Sequence, residues 1–163
     1  MSRLLEISIT PIVGAIEPVT IEEAKVYLRV DFDDDDAVIA RMIKSSVQRL
    51  QKYSGRVFTR SQCHAVYAQE PGGDRILLAY NDNITITGDY ADCMIGTTVI
   101  KTTDTEVEID YEAGYTVIPD WITTAVLQDV AWMYENRGDM AQQGKINPEV
   151  REYLKPFVKW SML

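Results

Sequence analysis

The chain has 163 residues, 46% of them hydrophobic, and a formal charge of −9 at neutral pH. That size and apolar share suit one globular domain with a real core, and the acidic balance argues against a dedicated nucleic-acid binder, whose phosphate contacts need a dominant positive field. No apolar run approaches the roughly 18 residues of a transmembrane helix, and Met1-Ser-Arg-Leu-Leu-Glu lacks the features of a secretory signal, so a soluble protein made in a cytoplasm, with no membrane partner, is expected.

Thr20 with Glu23 three residues later has the spacing of a capping box, and Ile21, Ala24 and Leu28 then share one face, which predicts a short helix over about 20–30. A second helix over 36–54 starts in the acid block Asp31 to Asp36, where carboxylates sit well against the positive end of the helix dipole. Its apolar stripe is Ile39, Met42, Ile43, Val47, Leu50 and Tyr53, and Gly55 is a natural stop. The opposite face carries Arg41, Lys44, Gln48 and Lys52, a mostly cationic stripe open to a partner. Charge is segregated along the chain: residues 41–60 hold six basic side chains and no acid, whereas 61–136 hold thirteen acids against Arg75 and Lys101.

From about 62 to 115 the period changes to two. The runs His64–Tyr67, Arg75–Ala79, Asn83–Thr87, Thr98–Lys101 and Glu106–Tyr111 are separated by turn residues at Pro71-Gly-Gly-Asp74, Asn81-Asp82 and Gly96, which predicts a small, mainly antiparallel β module between helices. Strict alternation should turn Val107, Ile109 and Tyr111 inward and leave Glu106, Glu108 and Asp110 on a wet, negative face. Gly114 is read as easing a strand end or allowing close backbone approach. Pro119 opens a third helix over about 119–137, with Ile122, Ala125, Val126, Val130 and Met133 packing and Gly138 stopping it. After a polar linker, Asp139 to Lys145, Asn147-Pro148 opens a fourth over about 148–160 with Val150, Tyr153, Leu154, Phe157 and Trp160 as its apolar set, which Pro156 should kink or end. The fold class is therefore α+β, one domain over 1–163 with three or four helices and an inserted β module.

The residues offer no catalytic set, metal site or cofactor site. Asp31-x-Asp33-x-Asp35 suggests an EF-hand loop, yet its sixth and twelfth positions are Asp36 and Met42 where Gly and Glu are required. His64 and Cys63 are strand neighbours and so point to opposite faces, which rules out a nucleophilic pair. Cys63 and Cys93 lack metal or redox spacing and are expected to be reduced. Pro71-Gly-Gly-Asp74 lacks the Lys and following helix of a phosphate loop. Arg137 can cap its helix or pair with an acid on a neighbouring element, and the C-terminal aromatics can cover the parent core or anchor in another protein. An interaction protein is expected; a small-ligand or regulatory homodimer is the competing class, and an enzyme comes third.

Four pieces in fixed order, Thr20 to Arg29, the acid block, Ile39 to Arg56 ending in a Gly-Arg pair, and Tyr111-Glu-Ala-Gly-Tyr115 with Pro119 and Tyr134-Glu-Asn-Arg137, resemble the head-to-tail connector (adaptor) proteins of tailed bacteriophages. Family members carry a T-L/I-E-E-A-K-x-x-L-R helix, an acidic turn and a later Y-x-A-G-Y … P … Y-E-N-R segment. The resemblance covers about two thirds of the chain and leaves Met1 to Ile16 and the β module unmatched. It implies a virion neck protein, made in the bacterial host's cytoplasm, that forms a homo-oligomeric, dodecameric ring below the portal. Such a ring extends the DNA channel without binding DNA specifically and meets a stopper or tail-completion protein. The ring contact is then expected between Arg41, Lys44 and Lys52 and the acid-rich β module of the next protomer. The portal contact falls to Tyr153, Leu154, Phe157 and Trp160 with Arg151, Lys155 and Lys159, and the lumen wall to Asp33, Asp34, Asp35 and Asp36 or Glu106, Glu108 and Asp110.

Overall fold

A computed structural model describes residues 2–80, 82–86, 89–95, 99–139 and 144–159. The expected turns at Asn81 and Gly96, most of the Asp139–Lys145 linker and Trp160 lie outside them. The described residues fall into two compact units: a helical one from 17–58 and 117–159, and a β one from 2–16 and 59–116.

The helical unit contains α1 (Ile21–Leu28), α2 (Asp36–Ser54), α3 (Asp120–Glu135) and α4 (Pro148–Leu154). The capping box forms: Glu23 N–H donates to Thr20 Oγ1 at 3.2 Å and Thr20 N–H to Glu23 Oε2 at 2.9 Å. Arg29 ends α1 at φ 57°, Gly55 ends α2 at φ 67°, and α4 passes at Lys155 into one 3-10 turn containing Pro156. Ile39, Ile43 and Leu50 of α2 and Ile122, Ala125, Val126 and Val130 of α3 are buried along the faces where these two helices pack. Ser46 and Ser54 are also buried on α2, so its inner face is narrower and smaller than the expected stripe; Met42, Val47 and Tyr53 sit at its margins.

The β unit contains β1 (Ser2–Pro11), β2 (Ser61–Gln69), β3 (Arg75–Leu77), β4 (Thr85–Ile86), β5 (Met94–Ile95), β6 (Val99–Lys101) and β7 (Glu106–Ala113). One antiparallel sheet has the order β1-β2-β7-β4 and a smaller one the order β3-β6-β5. The N-terminal segment is thus a full edge strand rather than an appendage. Its alternation is hidden because the register slips between Leu4 and Glu6, which places Leu4, Ile7 and Ile9 opposite the inward-facing Tyr67, Ala65 and Cys63 while Leu5 turns out. Along β7 the expected alternation holds: Val107, Ile109 and Tyr111 are buried, and Glu106, Glu108 and Asp110 are exposed. Two buried tyrosines fix the backbone at Ala79, whose N–H donates to Tyr67 Oη at 2.7 Å and whose carbonyl accepts from Tyr111 Oη at 2.6 Å. Gly114, at φ 99°, donates its N–H to the Asp82 carbonyl at 2.9 Å, the close backbone approach expected of it.

Candidate assembly surfaces

The acid block and the end of α3 meet. Tyr134 Oη donates to Asp35 Oδ2, Arg137 Nη1 donates to the same oxygen at 3.1 Å, and the Arg137 guanidinium lies 4.6 Å from the centre of the Tyr134 ring. Arg137 therefore pairs with an acid on another element. These bonds, Tyr134 first, hold the Asp35 carboxyl below its ordinary range, and the bond to Asp35 pushes the phenol of Tyr134 up against the opposing effect of Arg137. Lys25 of α1 reaches Asp33 Oδ1 at 2.6 Å and Asp36 Oδ1 at 2.8 Å; its pKa is raised and that of Asp33 lowered by their contact. Of the four expected lumen acids in this block, Asp35 and Asp36 are half-buried and engaged, Asp33 is engaged yet solvent-facing, and Asp34 is exposed.

On α2, Arg41, Lys44 and Lys52 are all exposed on one side. Arg41 Nε donates to the Ala37 carbonyl of its own helix at 3.1 Å, and among the described residues neither Lys44 nor Lys52 has an acidic partner.

The outer face of the larger sheet places Glu106, Glu108, Asp110 and Glu112 of β7 opposite Ala68, Val66, His64 and Gln62 of β2, with Glu6 of β1 across from Val66. His64 Nδ1 lies 2.8 Å from Asp110 Oδ1, and that contact, reinforced by Glu108 and Glu6, raises the imidazole pKa despite partial desolvation. Glu112 is taken by Arg60, which also reaches the Asn83 carbonyl and, at 3.0 Å, Thr85 Oγ1. The face remains net acidic. On the other side of β2, Cys63 is fully buried, and burial pushes its thiol up to about 12, an unreactive setting.

The C-terminal residues divide. Leu154 is fully buried and Phe157 stacks on Trp121 at 4.4 Å with the rings 4° from parallel, so both are engaged inside the helical unit. Arg56 Nε binds the Phe157 carbonyl, and Lys159 N–H donates to the Ser54 carbonyl at 2.9 Å. Tyr153 is 40% exposed, with Arg151 and Lys155 exposed beside it, while Lys159 is half-buried. The apolar set predicted for α4 thus splits by face: Val150 and Leu154 point in and Tyr153 points out.

Sequence reasoning passed over one polar centre. Asp129 of α3 is fully buried; its Oδ2 accepts from Arg49 Nη2 of α2 at 2.8 Å and its Oδ1 from Asn147 N–H at 3.0 Å. Arg49 also donates to the Lys145 carbonyl, and Asn147 Oδ1 caps Glu149 N–H at 2.9 Å. Three helices are fastened through one carboxylate. The available signal was a charge on each apolar face: Asp129 falls on the Ala125–Val126–Val130 stripe, and Arg49 falls seven residues after Met42 of the α2 stripe.

Among the described residues no group of three or more His, Cys, Asp or Glu side chains is placed to hold a metal ion, and no helix is long and apolar enough to cross a membrane. What the surfaces offer is complementary charge and exposed aromatics.

The sequence model of a family described as phage gp6-like head-tail connector protein matches residues 18–157. No curated protein matches. Among solved structures, a chain in the neck of an empty gene transfer agent particle, computed with C6 symmetry, is 15% identical over 96% of this chain and 97% of that one, with a TM-score of 0.64. A chain in the virion of the native gene transfer agent particle is 14% identical over 95% and 97%, also at 0.64. At that identity the likeness is one of fold.

Proposed function

The chain belongs to the phage gp6-like head-tail connector family, and from that premise we propose that it assembles as a closed homo-oligomeric ring beneath the portal, extends the DNA channel and offers a platform to a stopper or tail-completion protein. A head-tail connector is a structural protein of the virion, at the junction of head and tail. The observation that carries the reading is the family match itself, which takes in both the acid block and the Tyr134–Arg137 segment that closes on it through Asp35. The C6 symmetry of the neck whose chain shares this fold is compatible with a ring of twelve, the number we propose.

In this reading Arg41, Lys44 and Lys52 of α2 form one side of the ring contact, since a closed ring needs two different, complementary surfaces on each protomer. Tyr153 with Arg151, Lys155, Lys159 and Trp160 faces the portal, and Leu154 and Phe157 hold that surface in place from within. Sliding DNA is served by a lumen whose carboxylates outnumber its cations, because an acidic wall repels phosphate and leaves little to grip. Asp33 and Asp34, or Glu106, Glu108 and Asp110, supply it. The test is electron microscopy of the purified chain with and without portal. Rings with acids toward the axis are expected; absence of rings in both samples, or a lumen lined by Lys and Arg, overturns the reading.

A further inference from the structure

The helix α3 carries two stripes. One is the buried set that packs against α2; the other, Gln128, Ala131, Trp132 and Glu135, follows the spacing i, i+3, i+4, i+7 and floors a cleft of about 500 Å³. Tyr27 of α1 forms one wall, and Asn147, Pro148 and Glu149 at the start of α4 form the other. Tyr27 is 48% exposed, and its neighbour Val26 on α1 is 80% exposed, so apolar surface continues past the lip. Among the described residues neither Glu135 nor Glu149 has a cationic partner. Two aromatic rings and two uncompensated carboxylates around a concavity suit a cationic guest, which gains ring-face attraction and charge pairing together.

The same chain holds a guest of that chemistry on a convex element. Lys44 and Lys52, with Arg41, project from the outer side of α2 without acidic partners, and they lie on a different helix from the cleft. Unpaired cations on a ridge and unpaired acids in a groove are two different, complementary surfaces, which is what a head-to-tail ring contact requires. The sheet face is the poorer receptor, because Asp110 is already matched by His64 and Glu112 by Arg60.

We propose that the cleft between α1, α3 and the start of α4 receives the cationic ridge of α2 from a second copy of this chain, with Glu135 and Glu149 pairing Lys44 and Lys52 and Trp132 and Tyr27 packing on the aliphatic stems. The proposal rests on the ring reading and names the receptor surface within it.

The test compares four chains by native mass spectrometry and electron microscopy, each with and without portal: wild type, the groove reversal Glu135→Lys with Glu149→Lys, the ridge reversal Lys44→Glu with Lys52→Glu, and all four changes together. The expected result is that either double reversal raises the concentration for half-assembly by about tenfold or more, as befits opposed like charges at a contact, and that the fourfold variant, with both signs exchanged, regains rings. That rescue also shows that the reversed chains fold. If the groove reversal assembles like wild type while the ridge reversal does not, or if the fourfold variant stays unassembled though its circular dichroism is native, the cleft is not the receptor and the ring reading stands. If wild type forms no ring under either condition, the ring reading itself fails.

Discussion

Replacing Asp129 with Ala isolates what the buried carboxylate does for the helical unit. The change removes the acceptor of Arg49 Nη2 and of Asn147 N–H, both bonded at 2.8–3.0 Å to a side chain with no solvent exposure. Breaking one partner of a buried pair costs roughly 3–5 kcal/mol. The lower end applies here, because the Arg49 side chain keeps 17% exposure and its bond to the Lys145 carbonyl. A loss of about 3 kcal/mol in a chain of this size lowers the melting temperature by roughly 6–12 °C. Thermal and urea unfolding followed by circular dichroism measure it, and hydrogen exchange should show the backbone from Lys145 through α4 losing protection first, since Asn147 is the tether. A compensated control, Asp129→Leu with Arg49→Met, should recover only part of the loss, because it leaves no unpaired charge but still deprives the Asn147 N–H of its acceptor. If Asp129→Ala melts within about 2 °C of wild type, a shift worth under 1 kcal/mol, the carboxylate does not fasten the helices and the reasoning fails.

Tyr153→Ala with Lys155→Glu should cost no more than about 1–2 kcal/mol, since it removes only an exposed ion pair with Glu152 and a part-exposed ring contact with Phe157, while weakening co-sedimentation with portal rings; Leu154→Ala should instead cost about 2–5 kcal/mol of stability by opening a core cavity. Unchanged portal binding by the first variant refutes the surface assignment. His64 is the only histidine, so its single imidazole resonance titrates in isolation by NMR, and its midpoint should lie above the ordinary 6.5. A raised folded-state value means that the His64–Asp110 contact is present in full below the unfolded pKa and is lost as pH rises through the folded one, so His64→Gln should flatten the stability profile from pH ~6.5 upward. Asp35 behaves oppositely: its lowered value gives stability that is present above its ordinary 3.8 and lost as pH falls through the folded value. Accordingly Asp35→Asn should flatten the acid limb below pH ~4, and an unchanged limb would remove the Tyr134–Arg137 clamp from the account.

Helix positions were legible in the sequence because their ends are written in local chemistry: Thr20 and Glu23 for α1, Gly55 for α2, Pro119 for α3, Asn147 and Pro148 for α4. The inward set of β7 was equally plain, since its period of two is unbroken. Strand β1 escaped because one extra residue at Leu5 changes the phase of its alternation, and β5 because two residues are too few to show any period. The portal-facing set read from α4 mixed two faces, as Leu154 follows Tyr153 by one position and a helix turns about 100° between them. The Asp129 centre joins residues 18 and 80 positions apart, and the cleft likewise depends on helix crossings, which no short window along the chain contains.

The two units alternate along the chain, β1 preceding α1 and the longer β segment, residues 59–116, lying between α2 and α3; the first and last strands of that segment are neighbours, Ser61 pairing with Ala113 in the β2–β7 ladder. A chain that zips this ladder first brings the end of α2 and the start of α3 together before either helix is packed. For the intervening stretch of roughly 58 residues, the chain entropy so removed is of order 3–4 kcal/mol by the logarithmic loop law. The ladder is then a staple made of backbone hydrogen bonds, and damage to it should register as looser helices even though no helical residue is touched. During synthesis the apolar faces of α1 and α2 wait for α3 while residues 59–116 are made, an interval of about 3–12 s at ribosomal rates. The helical unit cannot close until α3 (Asp120–Glu135) has been made, after every strand of the β unit.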